Sequence, residues 1–289
     1  MKRLIIDMHV HPLCKEVSWD DPKKICKAMY GLDPHKERYM YKAFKNLKEN
    51  ISIDNYIVLM DRFGIDKSVI VSFNIKTAYG ITLVTNDDLA NLVKLHPNRL
   101  IGFAGIDPPA SDAMEQLEYA ISSLNLKGIK LVPPAQKFDI SDKKYDPLWR
   151  KMVDNNVPLW THGGHQVSTG GAIAKYGHPL LIDEMAMRNE DLTIIIGHMG
   201  VPWFWDTYSV ILRHPNVYAD ISAHPDLYQY FPWDAYVKYN IEHKILFGSD
   251  HPLVHWNKIM PAAKNLPISE GFKNRIMGQN ASTILGIKE

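Results

Sequence analysis

Cysteine is scarce in this chain of 289 residues, which contains only Cys14 and Cys26. Two cysteines at this separation support neither a disulfide framework nor a zinc knuckle, and they are typical of reduced thiols in a cytosolic protein. No apolar run is long enough to span a bilayer, and Met1-Lys2-Arg3 leads only into a short apolar segment. We therefore expect no membrane span, no signal peptide and a cytoplasmic location.

The chain also lacks an excess of charge of either sign, since 33 basic and 32 acidic residues give a formal net charge of +1. Such a balance provides no field that would attract nucleic acid or an anionic membrane, so we expect neither as a partner. A P-loop, a glycine-rich dinucleotide fingerprint and a G-x-S-x-G nucleophile elbow are absent as well. The enzyme classes that depend on those motifs therefore find no support.

Short apolar runs rich in Val, Ile and Leu alternate with helical patterns along the chain. Near-continuous apolar runs are typical of parallel strands that are buried on both faces, and helices between them imply parallel pairing. Eight such runs, in a chain that is 46% apolar, favour a closed (β/α)8 barrel over a doubly wound sheet. The predicted strands are Leu4–Val10, Lys67–Phe73, Leu100–Ile106, Lys127–Val132, Val157–His162, Leu192–His198, Asn216–Ser222 and Lys244–Ser249.

About fifty residues separate the first two predicted strands, which is too many for a plain loop. Met40, Phe44 and Leu47 have helical spacing in this segment. We interpret residues 14–63 as a helical insertion that forms a lid over the barrel mouth, and the alternative is an insertion that only packs or dimerises. Residues 1–289 are interpreted as a single domain.

The run Asp7-Met8-His9-Val10-His11 ends the first predicted strand. Because strand side chains alternate, Asp7, His9 and His11 are expected to share one face. Two imidazoles on one face can bind one cation, since neutral imidazole suits zinc, iron, copper and nickel. The alternative is a strand end that carries two polar residues and no ligand.

Several other predicted strands also end in polar residues, and thirteen histidines are unusual for this composition. In α/β barrels the chemistry takes place at the carboxyl ends of the strands, because barrel closure brings those ends to one rim. The polar strand ends are His9 and His11 on the first strand, Lys130 on the fourth, His162 on the fifth, His198 on the sixth, and Asp250 with His251 on the eighth.

In its ordered motifs the chain resembles the metal-dependent amidohydrolase superfamily. Within it, the similarity is to the amidohydrolase-related branch that includes aminocarboxymuconate-semialdehyde decarboxylase and the resorcylate decarboxylases. The resemblance covers essentially the whole chain. The matching segments are Asp7-Met8-His9-Val10-His11, Gly128-Ile129-Lys130-Leu131, His162-Gly163-Gly164, Gly197-His198-Met199-Gly200, Gly248-Ser249-Asp250-His251-Pro252 and Asn280-Ala281-Ser282-Thr283-Ile284-Leu285-Gly286.

The resemblance implies one divalent metal ion bound by His9, His11, His162 and Asp250. Zinc is the expected ion and manganese the alternative. The resemblance also implies that His198 transfers protons beside the metal, and Asp250 can act both as a ligand and as a proton acceptor. Elementary chemistry agrees with these implied roles, because a bound divalent ion polarises a substrate oxygen and an imidazole can transfer protons near neutral pH.

Lys130 has three interpretations. In some hydrolytic members of the superfamily, such as dihydroorotases, a lysine on this strand is carbamylated and bridges two metals. As an ammonium it can instead bind a substrate carboxylate, or it can extend to the rim as a solvated side chain. We expect an unmodified Lys130 that binds substrate, with His251 beside Asp250 as a second substrate contact.

The branch resemblance implies decarboxylation of a small aromatic or unsaturated carboxylic acid, so the expected partner is a small carboxylate. Hydrolysis of a small ester, lactone or amide is one alternative, and a catalytically silent ligand-binding barrel is another. Both reactions share the fold and the metal, which therefore cannot distinguish them. No ligand is missing from the motif set, which speaks against a silent barrel. The same analogy suggests a homodimer.

Overall fold

The computed structural model describes residues 4–287. Across these residues, eight parallel strands form one sheet in the order of the sequence, as predicted for a (β/α)8 barrel. A separate antiparallel ribbon pairs Asn74–Ile75 with Ile81–Thr82. The barrel strands are β1 (Ile6–Val10), β2 (Lys67–Val71), β3 (Leu100–Gly105), β4 (Gly128–Leu131), β5 (Leu159–Thr161), β6 (Ile194–Ile196), β7 (Val217–Asp220) and β8 (Ile245–Leu246).

The barrel closes through the segment that follows β8. Val10 forms an isolated parallel bridge with His251. The amide of Met8 donates to the carbonyl of Phe247 at 3.0 Å, and the amide of Asp250 donates to the carbonyl of His9 at 2.9 Å. The last strand end therefore lies directly against the first.

Each predicted strand contains an observed strand, but the observed ones are shorter at their ends. The sixth predicted strand, Leu192–His198, stops at Ile196. Beyond it, Gly197–Gly200 forms a 3-10 turn in which His198 and Met199 have φ angles of 57° and 51°. The side chains at this mouth therefore project from irregular backbone, where strand alternation no longer sets their direction.

Helices separate the strands and form the outer layer. Within residues 4–287 no helix is long and apolar enough to cross a membrane. In the same described range, the π-helical segments are Tyr119–Ser123 and Arg275–Gln279, and the 3-10 segments are Lys143–Tyr145, Ala174–Gly177, Gly197–Gly200, Pro225–Tyr230 and Glu242–Lys244. The α-helices are α1 (Pro22–Tyr30), α2 (Pro34–Asn50), α3 (Ile53–Phe63), α4 (Lys76–Tyr79), α5 (Asn86–Leu95), α6 (Ala113–Glu118), α7 (Pro133–Gln136), α8 (Asp146–Asp154), α9 (Pro179–Ala186), α10 (Phe204–Arg213), α11 (Trp233–Lys238), α12 (Trp256–Lys264), α13 (Glu270–Asn274) and α14 (Asn280–Leu285).

The long segment between β1 and β2 contains three of these helices, and local signals delimit each of them. The carboxylates of Asp21 and Asp33 accept the first free amides of α1 and α2, and both helices begin with proline. Ser52 and Asn55 form a capping box at the start of α3. Gly64, with φ of 75°, ends α3 in the left-handed conformation, as its position after Phe63 predicts.

Two apolar clusters stabilise the barrel. The larger one fills the space between the strands and the surrounding helices. The smaller one lies inside the barrel, below the mouth, and is completed by Ala281 of α14. Its members are Ile6, Met8, Val69, Val71, Phe103, Trp160, Ile195, Leu246 and Ala281. The lower barrel is thus a packed core, and the polar side chains of His9, Lys130 and His198 lie above it at the mouth.

Candidate metal and proton-transfer site

A β-bulge near the end of β1 determines which of its side chains enter the barrel. Asp7 pairs with Ser68 and Val10 pairs with Ile70, so two residues of β1 lie opposite one residue of β2. Such a bulge bends the strand and re-aims the side chain that follows it. His9 consequently lies on the interior side, with its ring centroid 4.2 Å from that of Trp160.

Asp7 does not share this face with His9 and His11, so that part of the prediction is wrong. Its carboxylate accepts hydrogen bonds from the indole Nε1 of Trp256 at 2.6 Å and from the amide of Ser249 at 2.9 Å. Trp256 belongs to the cluster between strands and helices. The bulge is the cause, because it shifts the alternation by one residue after Asp7.

Three of the four predicted metal ligands form a compact group. The Nε2 atoms of His9 and His11 lie 3.6 Å and 3.2 Å from Oδ1 of Asp250. One ligand atom from each residue lies within 4.8 Å of the other two. Both imidazoles are buried, and Asp250 has a φ of 68°, a strained conformation that is typical of functional sites. The group can hold one cation.

His162 lies at the same mouth but is not part of that group. Its buried Nε2 has no hydrogen-bond partner among the described residues, while its ring hydrogen-bonds to the backbone of His165. Burial, and then the positive charge of Lys130, lower the pKa of His162 to about 3. A neutral imidazole with a free buried nitrogen is suited to ligate a metal.

Lys130 is buried beneath this group, with 3% of its surface exposed. Its Nζ lies 2.5 Å from Nε2 of His9 and 4.3 Å from the ring centroid of Trp160. The interpretation of Lys130 as a solvated rim residue is therefore wrong, because closure of the barrel covers β4. Burial lowers the pKa of Lys130 to about 7, although the carboxylates of Asp250 and Asp220 oppose the shift.

His198 is held by two residues at the end of β7 that the sequence did not single out. Its Nδ1 lies 2.8 Å from Oγ of Ser222, and its amide donates to Oδ1 of Asp220 at 3.0 Å. The Ser222 hydroxyl lies 2.5 Å from the same carboxylate oxygen. The indole of Trp160 donates to the other oxygen of Asp220, also at 2.5 Å. Asp220 and Ser222 are completely buried.

Burial dominates the electrostatics of the remaining imidazoles. It lowers the pKa of His198 and of His9 well below the usual value, and positive charges nearby add to the effect. The pKa of His11 is lowered as well, against the attraction of Asp250. These histidines are therefore neutral at neutral pH, which is the form that binds metals and accepts protons.

His224 is a further mouth residue that sequence reasoning missed. It follows β7, lines the cavity, and its ring centroid lies 6.2 Å from that of His198. Its position in the sequence could have identified it, because His224 follows the seventh predicted strand and histidines at predicted strand ends are candidates. Burial lowers the pKa of His224.

The expected substrate contact of His251 is not what the structure shows. Its ring stacks on the indole of Trp256, with centroids 4.0 Å apart and planes 8° from parallel. The ring also packs edge-on against Tyr56, and His251 is absent from the cavity wall. The turn after Asp250 directs this side chain into the outer layer, where it has a packing role.

The site opens into a cavity of about 240 Å³. His9, His11, Lys130, His162, His198 and Asp250 form its floor. The upper wall is largely apolar and includes Met29, Tyr30, Met40 and Phe44 from α1 and α2, with Phe73, Leu83, Leu253 and Val254. The cavity therefore combines a polar, metal-competent floor with apolar and aromatic walls, as small-molecule sites do.

The sequence model of the amidohydrolase family matches residues 6–287 of this chain. The chain belongs to the amidohydrolase family. No curated protein matches its sequence.

Solved structures share the complete barrel with this family member. An uncharacterised TIM-barrel protein from Bordetella bronchiseptica has a TM-score of 0.74 and 21% identity, with 98% of each chain covered. The 5-carboxyvanillate decarboxylase of Novosphingobium aromaticivorans, solved with manganese and 4-hydroxy-3-methoxy-5-nitrobenzoic acid, has a TM-score of 0.73 and 16% identity, covering 99% of this chain and 96% of that chain.

A dihydroxybenzoic acid decarboxylase from Polaromonas sp. JS666 is similar over the same length. It was solved with manganese and the inhibitor 2-nitroresorcinol. Its TM-score is 0.69 at 17% identity, with 99% of this chain and 98% of that chain covered. At these identities the likeness shows a common fold.

Proposed function

We propose that this amidohydrolase-family protein is a metal-dependent decarboxylase of small aromatic carboxylic acids. The observation that carries the proposal is the group of His9, His11 and Asp250 on the polar floor of a cavity of about 240 Å³ whose wall is largely apolar and aromatic. A cavity of this kind suits a single planar ring with one or two polar substituents. Two decarboxylases of such acids are among the solved structures that share the fold.

The donor atoms fit one divalent cation. Two neutral imidazoles and a carboxylate supply three ligands, and the unpartnered Nε2 of His162 is a fourth candidate. Nitrogen and oxygen ligands of this number suit zinc, which we propose as the resident ion, with manganese as the rival. When bound, the cation polarises substrate oxygens and lowers the energy of negative charge that develops on them.

Lys130 and His198 have distinct roles in this proposal. The unmodified amine of Lys130, buried on the cavity floor, is placed to attract the substrate carboxylate. Decarboxylation breaks the bond between the ring carbon and the carboxylate, and the electron pair stays on the ring carbon. A proton must then reach that carbon as carbon dioxide leaves. His198 lines the cavity and is neutral at neutral pH, so its ring must first take up a proton from a hydroxyl of the substrate. Because the pKa of His198 is low, the charged ring is a strong acid, and it then passes this proton to the ring carbon.

Helices α1 and α2 belong to the insertion at residues 14–63 that we interpret as a lid, and they line the cavity together with the loop at residues 165–170. The amide of Gly170 donates to the carbonyl of Met29 at 2.6 Å, and Nζ of Lys36 donates to the carbonyl of Val167 at 3.3 Å. These contacts join the lid helices to the loop after β5. We propose that the lid excludes water from the reacting carbon, so that a protein group delivers the proton.

Hydrolysis of an ester, lactone or amide is the second candidate, and the position of Lys130 favours it. A lysine amine 2.5 Å from Nε2 of His9, with a pKa of about 7, is partly neutral at physiological pH. A neutral amine can add to carbon dioxide and lose a proton to form a carbamate, whose oxygens would be ligands for a second metal. Two anomalous peaks roughly 3.5–4 Å apart, with extra density on Lys130, would establish this form.

The deciding experiment combines metal analysis with a carbon dioxide release assay on hydroxylated benzoic acids. We expect about one divalent ion per chain and release of carbon dioxide from at least one acid. The paired change His9→Ala with His11→Ala should abolish both. Changing the exposed His35 to Ala in the same preparation is the matched control and should alter neither. Metal-loaded protein that cleaves esters or lactones but releases no carbon dioxide would overturn the proposal.

A further inference from the structure

We propose that Ser222 is a positioning residue whose hydroxyl fixes which ring nitrogen of His198, and of His9, carries the proton. The inference goes beyond the proposed decarboxylation, since it concerns hydrogen positions in the protein before any substrate binds. Ser222 Oγ lies 2.8 Å from His198 Nδ1, which is the distance of a hydrogen bond, so one of these two atoms donates to the other.

The direction of that hydrogen bond follows from the surroundings of Asp220. Its carboxylate receives the amides of His198 and Ser222 at 3.0 Å and 2.9 Å, and the indole of Trp160. These groups can only donate, so the carboxylate acts as the acceptor. The Ser222 hydroxyl, 2.5 Å from Oδ1, therefore donates its single hydrogen to Asp220.

With its hydrogen committed to Asp220, Ser222 Oγ can only accept from His198. The Nδ1 of His198 must then carry the proton, and Nε2 retains a free lone pair. Since His198 lines the cavity, this lone pair is the atom available to take up a proton there. The opposite tautomer would set two lone pairs against each other at 2.8 Å.

The same hydroxyl reaches a second imidazole. Nδ1 of His9 lies 3.4 Å from Ser222 Oγ, a long contact that uses the second lone pair of the oxygen. An independent contact agrees, because Nε2 of His9 accepts from the amine of Lys130 at 2.5 Å. Nδ1 of His9 is therefore also protonated, and its Nε2 keeps the lone pair, which accepts from Lys130 in the metal-free protein and which a bound cation would take instead.

Ser222 thus links the proposed proton carrier and a proposed metal ligand to one buried carboxylate. Groups behind metal-binding and catalytic histidines fix the tautomer and the ring orientation, and their loss typically lowers metal affinity or activity by 10–100-fold. The arrangement is rigid, because Asp220 also accepts the backbone amides at the ends of β6 and β7.

The test is nitrogen-15 NMR of the full chain labelled at its histidine rings, recorded metal-free and with zinc. The variants His198→Gln and His9→Gln assign the signals. In the metal-free wild type we expect both histidines to be protonated at Nδ1. Protonation of His198 at Nε2 in the wild type would overturn the proposal, and this measurement needs no serine variant to fold.

Ser222→Ala should shift His198 towards the Nε2-protonated form, weaken zinc binding by about 10–100-fold and lower turnover by a similar factor. Ser222→Thr keeps a hydroxyl and should restore the Nδ1 form. Ser68→Ala is the matched control, since Ser68 is an equally buried barrel serine whose hydroxyl has no partner among the described residues. Unchanged tautomers in a folded Ser222→Ala protein would refute the role. Expected tautomers without carbon dioxide release would instead refute only the decarboxylase proposal.

Discussion

Two buried lysines lie at opposite ends of the barrel, and their surroundings differ. Lys130, at the carboxyl end of β4, contacts the imidazole of His9 and the face of Trp160. Lys244, just before β8, donates to the backbone carbonyls of Ile211 at 2.9 Å, His214 and Val217 at 3.4 Å. The amine at the mouth faces titratable side chains and a cavity, whereas the amine at the base completes the hydrogen bonding of backbone.

The difference separates function from stability within one fold. At the base, Lys244 satisfies carbonyls that the end of α10 and the start of β7 leave open. At the mouth, titratable side chains crowd together around a cavity, and His198, Met199, Ala223 and Asp250 adopt positive φ angles. Strain of this kind persists only where the surrounding structure imposes it, and it clusters at functional sites.

Among substitutions at the mouth and the base, His198→Asn is expected to have the largest effect on turnover. It should lower turnover by about 10²–10⁴-fold, the usual range for loss of a general acid or base, with metal content near one per chain. Steady-state kinetics and metal analysis measure the two quantities. His243→Asn, at an exposed position near the base, is the control and should leave turnover unchanged. Loss of metal from His198→Asn would make His198 a ligand.

Lys130→Met should come next, with kcat/KM about 10²–10³-fold lower through loss of charge stabilisation at the floor. Thermal stability should stay equal or rise, because a buried amine is replaced by an apolar side chain. Metal titration provides the discriminating measurement. Removal of a positive charge 2.5 Å from Nε2 of His9 should tighten metal binding. Weaker binding would indicate that Lys130, as a carbamate, is itself a ligand.

Lys244→Met is expected to have the opposite effect to Lys130→Met. It should leave kcat/KM unchanged but lower the free energy of unfolding by about 1–3 kcal/mol, because buried carbonyls lose their hydrogen-bond donor. Burial lowers the pKa of Lys244 to about 8. Between about pH 8 and the ordinary pKa of lysine, Lys244 is protonated in the unfolded chain but mostly neutral in the folded protein. The free energy of unfolding of the wild type therefore rises with pH across this range. Denaturant unfolding should show the gap between wild type and variant widening from pH 8 to about pH 10. A shrinking gap would contradict the assigned role.

The smallest effect is expected from His251→Phe. A phenyl ring can keep the stack on Trp256, so turnover should change by less than about threefold and stability only slightly. Activity assays over the acid panel would check this. A selective rise in KM would show that His251 contacts the substrate after all.

Local sequence patterns were sufficient for the overall architecture and part of the site. Each apolar run predicted a barrel strand because burial on both faces requires continuous apolar residues. The spacing of His9 and His11 placed both at one mouth, and the strand endings identified His162, His198 and Asp250 as its neighbours. The two-residue spacing of His9 and His11 and their position at a strand end can be read from the sequence alone, and both side chains line the cavity.

Tertiary structure alone decided where the side chains point. The bulge in β1 turns Asp7 away from His9, and a stack on Trp256 removes His251 from the cavity wall. Asp220 and Ser222 became part of the site only because β7 lies beside β6. The backbone conformation of the residues that follow the strand ends cannot be predicted from residue type. Non-glycine residues adopt positive φ angles there only because the neighbouring strands constrain them. The sequence by itself thus determined the barrel and the histidines at its mouth, whereas packing between strands decided which atoms meet.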